Sequence, residues 1–456
     1  MVSVWGRQLL RFMWTTLLGV VIPPVAWSQE PPTAVEQPFV DPALPSDPLT
    51  DLMRRVTNLE EQLQKAKAAE RQQAVGLSKP SINWTMQLQT DFITNSQSAG
   101  NRAAVGEIPT GIAFRRARTG VYGEYGPWEY RLAMDYALPG RPSFLDVYAG
   151  LNEVPYLGHL RVGHFFEPLG LEQYSQNRYL TFLERGVTSE PFAPGRNTGI
   201  MANTNWAGNR GTWAAGLFSS NSNFYGDDTA NNLALAVTGR LTYLPWYDEA
   251  TNGRHLLHLG LAYSAREARH HEVQFRSRPE IRFGAADPNI PFFVDTGRIP
   301  ANFYQMIGSE LLLVQGPFSI QAEYILLPVS TLDRGAVYFQ VWYVLGSVFL
   351  TGEHRAYRTT TGVLERVSPR RDFIKREGGT LSLGPGAWEL AVRFSHVDLN
   401  NGGITGGRLS DITVGINWYL NPYCRVTSNY VHAYQSATSG RSGPADFWGI
   451  RFNYDF

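Results

Sequence analysis

Cysteine is nearly missing from this chain of 456 residues: Cys424 stands alone, which excludes an internal disulfide and a cysteine-based zinc cluster. Lysine is almost as scarce, with Lys65, Lys67, Lys79 and Lys375 the only four among 40 basic residues, so arginine carries the positive charge. Net charge is absent as well, because 40 acidic residues balance the basic ones; this gives no support to a nucleic-acid partner. No stretch reaches the roughly 18 apolar residues of a membrane-spanning helix. G-x-S-x-G, Walker and zinc-protease motifs are missing. His270-His271 and His354 have no acidic residue at helical ligand spacing, and Glu389 with Asp398 makes a poor glycosidase pair because acids on such strands ordinarily face water. These absences argue against an enzyme and against a bound metal or cofactor.

The first residues carry an export pattern. Arg7 and Arg11 precede an apolar core over Met13 to Ile22, and Ala26-Trp27-Ser28 offers small residues for cleavage, so residues 1–28 read as a secretory signal peptide. Removing them takes away two arginines and no acid, leaving 38 basic against 40 acidic residues, a balance of −2. Export combined with a single cysteine points to a bacterial envelope.

Residues 29–48 are proline-rich and extended in expectation. Leu49, Leu52, Val56, Leu59, Leu63 and Ala66 then recur at spacings of 3 and 4, which predicts a coiled-coil helix over 49–75. About three heptads is marginal for an isolated coil, so the helix needs chains already held together by another part of the molecule.

From residue 81 the period changes to two. In W-E-Y-R-L-A-M-D-Y (128–136), Trp128, Tyr130, Leu132, Met134 and Tyr136 share one face while Glu129, Arg131, Ala133 and Asp135 share the other. Such segments start near 82, 113, 128, 144, 158, 197, 212, 232, 254, 303, 318, 335, 386, 411, 424 and 447. Trp128, Tyr136, Trp206, Trp213, Tyr243, Trp246, Tyr419, Trp448 and Tyr454 fall near strand ends. Apolar-out, polar-in alternation with aromatic girdles predicts an all-β transmembrane antiparallel barrel of about 16 strands. The C-terminus, W-G-I-R-F-N-Y-D-F, keeps this phase to Phe456.

The phase has a chemical consequence. Ala117, Thr119 and Val121 take the lipid face of the strand containing F-R-R-A-R (114–118), which turns Arg116 and Arg118 into the lumen and leaves Arg115 on the outer rim. The same reading sends Arg131, Arg161, Arg240, Arg393, Arg425 and Arg451 inward, together with Glu129, Asp135, Asp146 and Glu389. A charge facing hydrocarbon at midplane costs about 2–4 kcal/mol, so the expectation is that these arginines line water as anion contacts. Arg116, Arg118 and Arg131 would form a short cationic track across neighbouring strands.

The ordered words F-R-R-A-R-T-G-V-Y-G, W-E-Y-R-L-A-M-D-Y, L-R-V-G-H-F-F-E-P-L-G-L-E, R-Y-L-T-F-L-E-R, F-A-P-G-R-N-T-G, F-R-S-R-P-E, L-T-G-E-H-R, G-A-W-E-L-A-V-R-F-S and G-I-N-W-Y-L-N-P resemble those of the phosphate-selective porins O and P over residues 81–456. The resemblance implies a sixteen-stranded trimeric barrel in the outer membrane that conducts anions, phosphate above all. By analogy with general porins, the stretch Phe165 to Arg196 is a loop narrowing the lumen, with Arg178, Arg185, Arg196 and Glu184 at the constriction. The competing view of Arg178, Glu184 and Arg185 is that they pair and pin the loop to the wall. Missing lysines depart from a family pattern in which lysines supplement an arginine ladder. Implied partners are outer-membrane lipid, small anions such as phosphate, and two further copies of the chain. Competing readings are a general non-selective porin and a structural barrel anchored to the cell wall through 49–71.

Overall fold

In the computed structural model the described residues are 53, 55–65 and 79–456, apart from 139, 190–191, 221, 224, 228–232, 286–289 and 437–441. The expected signal peptide over 1–28 and the expected linker over 29–48 lie outside them, as do Leu49, Leu52 and Ala66 of the heptad pattern. Residues 55–65 are helical. Val56, Leu59 and Leu63 are exposed on this helix, and Glu61 pairs with Lys65 one turn on at 3.3 Å. The helix belongs to a unit separate from the one that starts at Ser78.

The second unit is a closed wall of antiparallel strands. They run β1 (Asn83–Gln97), β2 (Gly111–Tyr125), β3 (Trp128–Asp135), β4 (Ser143–Val154), β5 (Gly158–Phe166), β6 (Arg196–Trp206), β7 (Gly211–Ser219) and β8 (Leu235–Tyr247). The other half is β9 (His255–Glu267), β10 (Ile299–Gln315), β11 (Phe318–Thr331), β12 (Ala336–Phe349), β13 (Ala387–Asn401), β14 (Ile404–Asn421), β15 (Cys424–Ser436) and β16 (Gly443–Asp455). The main sheet holds 17 strands; one is the two-residue Glu272–Val273 added beside β10, which leaves 16 in the wall. Pairing of β1 with β16 from Gln87↔Asp455 to Gln97↔Ala445 closes the barrel. Closure removes the sheet edges that lipid could not satisfy.

Alternation places strand starts within a few residues, but β10, β14 and β16 begin at 299, 404 and 443, ahead of the expected 303, 411 and 447. Polar and glycine-rich leaders such as T-G-G-R before the apolar rhythm hide these starts. Tyr419 departs from the expected girdle: it is buried in the lumen, where its hydroxyl donates to Glu389 Oε2 at 2.9 Å.

At one end, which also carries both ends of the barrel unit, most connections are short. The β10–β11 turn is 316–317 and the β14–β15 turn 422–423. The exception there is 350–386. At the other end, 167–195 and 268–298 are long. All three long segments send residues into the barrel, the 350–386 segment through 355–366. Their apolar residues require partners, and the inner wall supplies them: Phe275, Ile281 and Phe293 of 268–298 pack with Ile325, Val341 and Phe447 in one core. The inner face of β11 and β12 is therefore apolar at the loop end, against the expectation of a polar interior throughout.

The arginine-lined constriction as candidate functional site

The pairing of β1 with β2 sets the first group of charges. Gln89 faces Arg116 and the next pair is Thr90 with Phe114, so Arg115 is an extra residue at a bulge. A bulge re-aims side chains locally. Phe114 and Ile112 consequently face outward and are exposed, while Arg115 turns into the barrel. This corrects the expected outer-rim position of Arg115: its Nε and Nη2 donate to Glu184 at 2.8 and 3.0 Å.

Glu184 is the hub of the 167–195 loop. Besides Arg115 it meets Arg451 Nη2 at 2.8 Å and Arg116 Nη2 at 3.5 Å. Burial works against its charge, but Arg115, Arg116 and Arg451 together hold its carboxyl well below the usual carboxylate range.

The inward arginines divide into two groups. Arg393 is fully buried between Glu280 of one inserted segment (2.7 Å) and Glu172 of another (3.2 Å), and also donates to the carbonyl of Glu184. Arg451 adds Asp91 at 2.6 Å to its bond with Glu184. Arg240 spans Glu310 and the carbonyl of Gly362, at 2.6 and 2.8 Å, and Arg425 donates to the Leu180 carbonyl at 2.7 Å. These four do not line open water as expected. They tie inserted segments to the wall, because a segment brought into a narrow lumen must satisfy the charges it covers. Arg178 pairs with Asp455 at 3.3 Å, and Arg185 bends back to the carbonyls of Glu172, Gln173 and Ser175 at 2.8–3.3 Å. The pinning reading holds for Glu184 and Arg178, with partners on the wall; Arg185 braces the loop internally.

The second group borders open space. A cavity of about 250 Å³ is lined by Arg118, Arg131, Arg161, Arg178, Arg185, Arg196 and, from the 350–386 segment, Arg358, with Asp146 as its one lining carboxylate. Behind the lining, Arg118 pairs with Asp135 at 2.7 Å and Arg161 with Glu129 at 2.5 Å, while Asn177, on the lining, accepts from Arg118 at 2.8 Å. Arg131 and Arg196 share Asp146, at 3.5 and 2.8 Å. Ring faces support several of them: Arg196 lies over Phe166 at 3.8 Å, Arg161 over Tyr148 at 4.9 Å and Arg131 over Tyr122 at 5.5 Å. A ring face orients a guanidinium without cancelling its charge. Among the described residues, the buried Nε atoms of Arg131 and Arg178 have no hydrogen-bond partner, and the Arg131 Nε meets Asp146 only at ion-pair distance.

Arg116 does not join Arg118 and Arg131 in one track. It lines a second cavity of about 180 Å³ with Arg115, Glu184 and Arg185, so Arg185 borders both spaces.

Sequence reasoning missed the 350–386 segment. Its Arg355 pairs with Glu389, Tyr357 Oη lies 2.7 Å from His258 Nδ1, and Arg366 pairs with Asp455. Leu364 N donates to Ser175 Oγ at 3.0 Å, so this segment meets the constriction loop from the opposite end. Gly362, at φ +65°, leaves no room for a Cβ beside Thr212 and Thr242. The available signal was its length, at an end of otherwise brief turns.

Comparison with known proteins gives concordant results. Residues 82–456 match the family described as phosphate-selective porin O and P. A protein of Pseudomonas aeruginosa named Porin O is 25% identical over 408 residues, covering 81% of this chain and 87% of its own. An uncharacterised Caulobacter vibrioides protein is 27% identical over 364 residues, covering 76% of this chain and 68% of its own. Among solved structures, OmpT of Vibrio cholerae in a trimer form aligns at TM-score 0.51 and 11% identity, covering 83% of this chain and 100% of that one. An anion-selective porin from Comamonas acidovorans aligns at TM-score 0.50 and 13% identity, with the same coverage.

Proposed function

The chain belongs to the phosphate-selective porin O and P family, and from that premise we propose that it is an anion-preferring diffusion channel for phosphate or similar small anions. It is an outer-membrane porin and not an enzyme. The observation that carries the anion preference is the lining of the larger cavity, where seven arginines meet a single carboxylate, Asp146. A guanidinium presents a fixed fork matched to phosphate or carboxylate oxygens and stays charged at every physiological pH. A narrow low-dielectric passage focuses that field. Several moderate sites in sequence let an anion enter and leave, where one tight site would trap it. The relatives point the same way by name, Porin O in one case and an anion-selective porin in another. With lysine so scarce, arginine alone makes the preference. The test is a planar-bilayer recording in a salt gradient: a reversal potential of anion sign, with phosphate blocking chloride current, is expected. Cation preference overturns the reading.

The assembly proposed is a homotrimer, with the 49–71 helices bundled by the seam that leaves Val56, Leu59 and Leu63 exposed in the single chain. The Vibrio neighbour is described in a trimer form. Residues 1–28 are read as the export signal and 29–48 as the linker before that helix.

A further inference from the structure

The 350–386 connection contains a structure that the lumen does not use. Ile374–Glu377 and Thr380–Leu383 form a two-stranded hairpin turning at Gly378 and Gly379. Its register pairs Ile374 with Leu383, Lys375 with Ser382, Arg376 with Leu381 and Glu377 with Thr380. Directly opposed residues share a face. One face therefore carries Ile374, Leu381, Leu383 and Arg376, and the other carries Lys375, Glu377, Thr380 and Ser382. The polar face is closed by Lys375 against Glu377 at 2.5 Å. The apolar face is bare, with Ile374, Leu381 and Leu383 exposed by 52, 62 and 63%.

Both ends of the hairpin are tethered to outward-facing tryptophans. Trp388 of β13 and Trp418 of β14 stack with centroids 5.0 Å apart, and both indole N–H groups donate to the carbonyl of Pro385. Phe373 sets its edge on Trp418 at 4.7 Å, and its N–H donates to the carbonyl of Leu420. Outward aromatics at the ends of barrel strands mark the membrane–water boundary. Above this pair, Leu390, Val392, Phe394, Ile412, Val414 and Ile416 make a continuous exposed apolar band.

We propose that this hairpin is a membrane-interface anchor, laying its apolar face into the boundary between headgroups and acyl chains of the leaflet at the turn end, with Arg376 reaching phosphate headgroups. The proposal rests on the outer-membrane porin reading. Lipid is favoured over a neighbouring copy of the chain by strand length. The strands above the hairpin, β13 and β14, have 15 and 18 residues, whereas β3, β5 and β7 have 8, 9 and 9. At about 3.3 Å per residue and a tilt of roughly 40°, only the long strands cross an apolar band about 25 Å tall with residues to spare. The short-strand wall suits contact with protein, and the hairpin lies on the other one. An amphipathic surface element with a basic residue beside its apolar face binds by buried area plus attraction to anionic lipid.

The experiment uses the full chain reconstituted in vesicles of phosphatidylglycerol and phosphatidylcholine. In a Cys424→Ser background, Leu381→Cys and, separately, Ser382→Cys are labelled with an environment-sensitive fluorophore and exposed to brominated lipids. Quenching at 381 is expected to exceed that at 382 by at least about twofold, as insertion of one face by about 5–10 Å requires. Arg376→Gln should reduce the excess in phosphatidylglycerol-rich vesicles. Equal, weak quenching at both positions overturns the proposal, as does a probe at 381 that is shielded from water yet unquenched by lipid, which would mean cover by another subunit. Conductance of the same preparations separates this failure from failure of the porin reading.

Discussion

Arg115 Nε donates to Glu184 Oε1 at 2.8 Å, joining the wall strand β2 to the inserted loop through a residue that strict alternation would have aimed at lipid. The bulge that turns it inward brings Arg115 and Arg116, adjacent in sequence, onto the same carboxylate. Arg451 completes the set from the last strand.

Replacing that carboxylate should separate two consequences. Glu184→Gln leaves three arginines without their shared anion, and loss of one partner of a buried ionic cluster costs on the order of 3 kcal/mol. Chemical unfolding in detergent should show an earlier midpoint, while the reversal potential moves toward stronger anion preference. An unchanged midpoint would mean that other contacts hold the loop.

The same cluster sets an acid limit. Burial opposes the charge of Glu184 but the three arginines depress its pKa well below the ordinary value. A depressed carboxylate contributes stability that is present above its unfolded pKa, about 4.3, and disappears as pH falls through the folded value. Protease protection of 167–195 should therefore persist from neutral pH to about pH 4 and vanish only in stronger acid. Loss near pH 6 would contradict the clamp.

Arginines that border the cavity and arginines that tie segments should respond differently. Arg118, Arg131 and Arg161 changed together to Gln should weaken phosphate block about tenfold, roughly 1.4 kcal/mol, with the barrel still stable. Arg393→Gln, which strands Glu172 and Glu280 in a dry site, should mainly destabilise. Block titration and unfolding curves on the two variants check the division.

The turn-end segment narrows the pore by the same logic. Removing 356–366 deletes the contacts of Arg358, Thr361, Val363 and Leu364 with the larger cavity. Single-channel conductance should rise by about twofold or more, since a constriction dominates pore resistance. Conductance equal to the parent would put the narrowest point elsewhere.

Deleting 29–78 addresses the helix. The oligomer should dissociate at lower temperature on semi-native gels while the barrel still inserts and conducts, because 78–456 is a unit by itself. A deleted protein that fails to insert would give this segment a different role.

The sequence by itself determined the wall. A period of two is a local property of the chain, so W-E-Y-R-L-A-M-D-Y announces its inward Glu129, Arg131 and Asp135 without reference to any distant residue, and repeating that reading yields sixteen strands. The inward phase of Arg118, Arg161, Arg240 and Arg393 was legible for the same reason. Only the tertiary structure decided what those arginines do. Arg393 meets Glu172 from 221 positions away and Arg451 meets Glu184 from 267, and no periodicity encodes such encounters. The bulge at Arg115, the inward turn of Tyr419 and the entry of 268–298 and 355–366 into the lumen likewise depend on what faces them across the barrel. Phase fixes the direction of a side chain; whether its charge is cancelled by a carboxylate, held on a ring face or left to water is settled by neighbours that only closure of the barrel brings together.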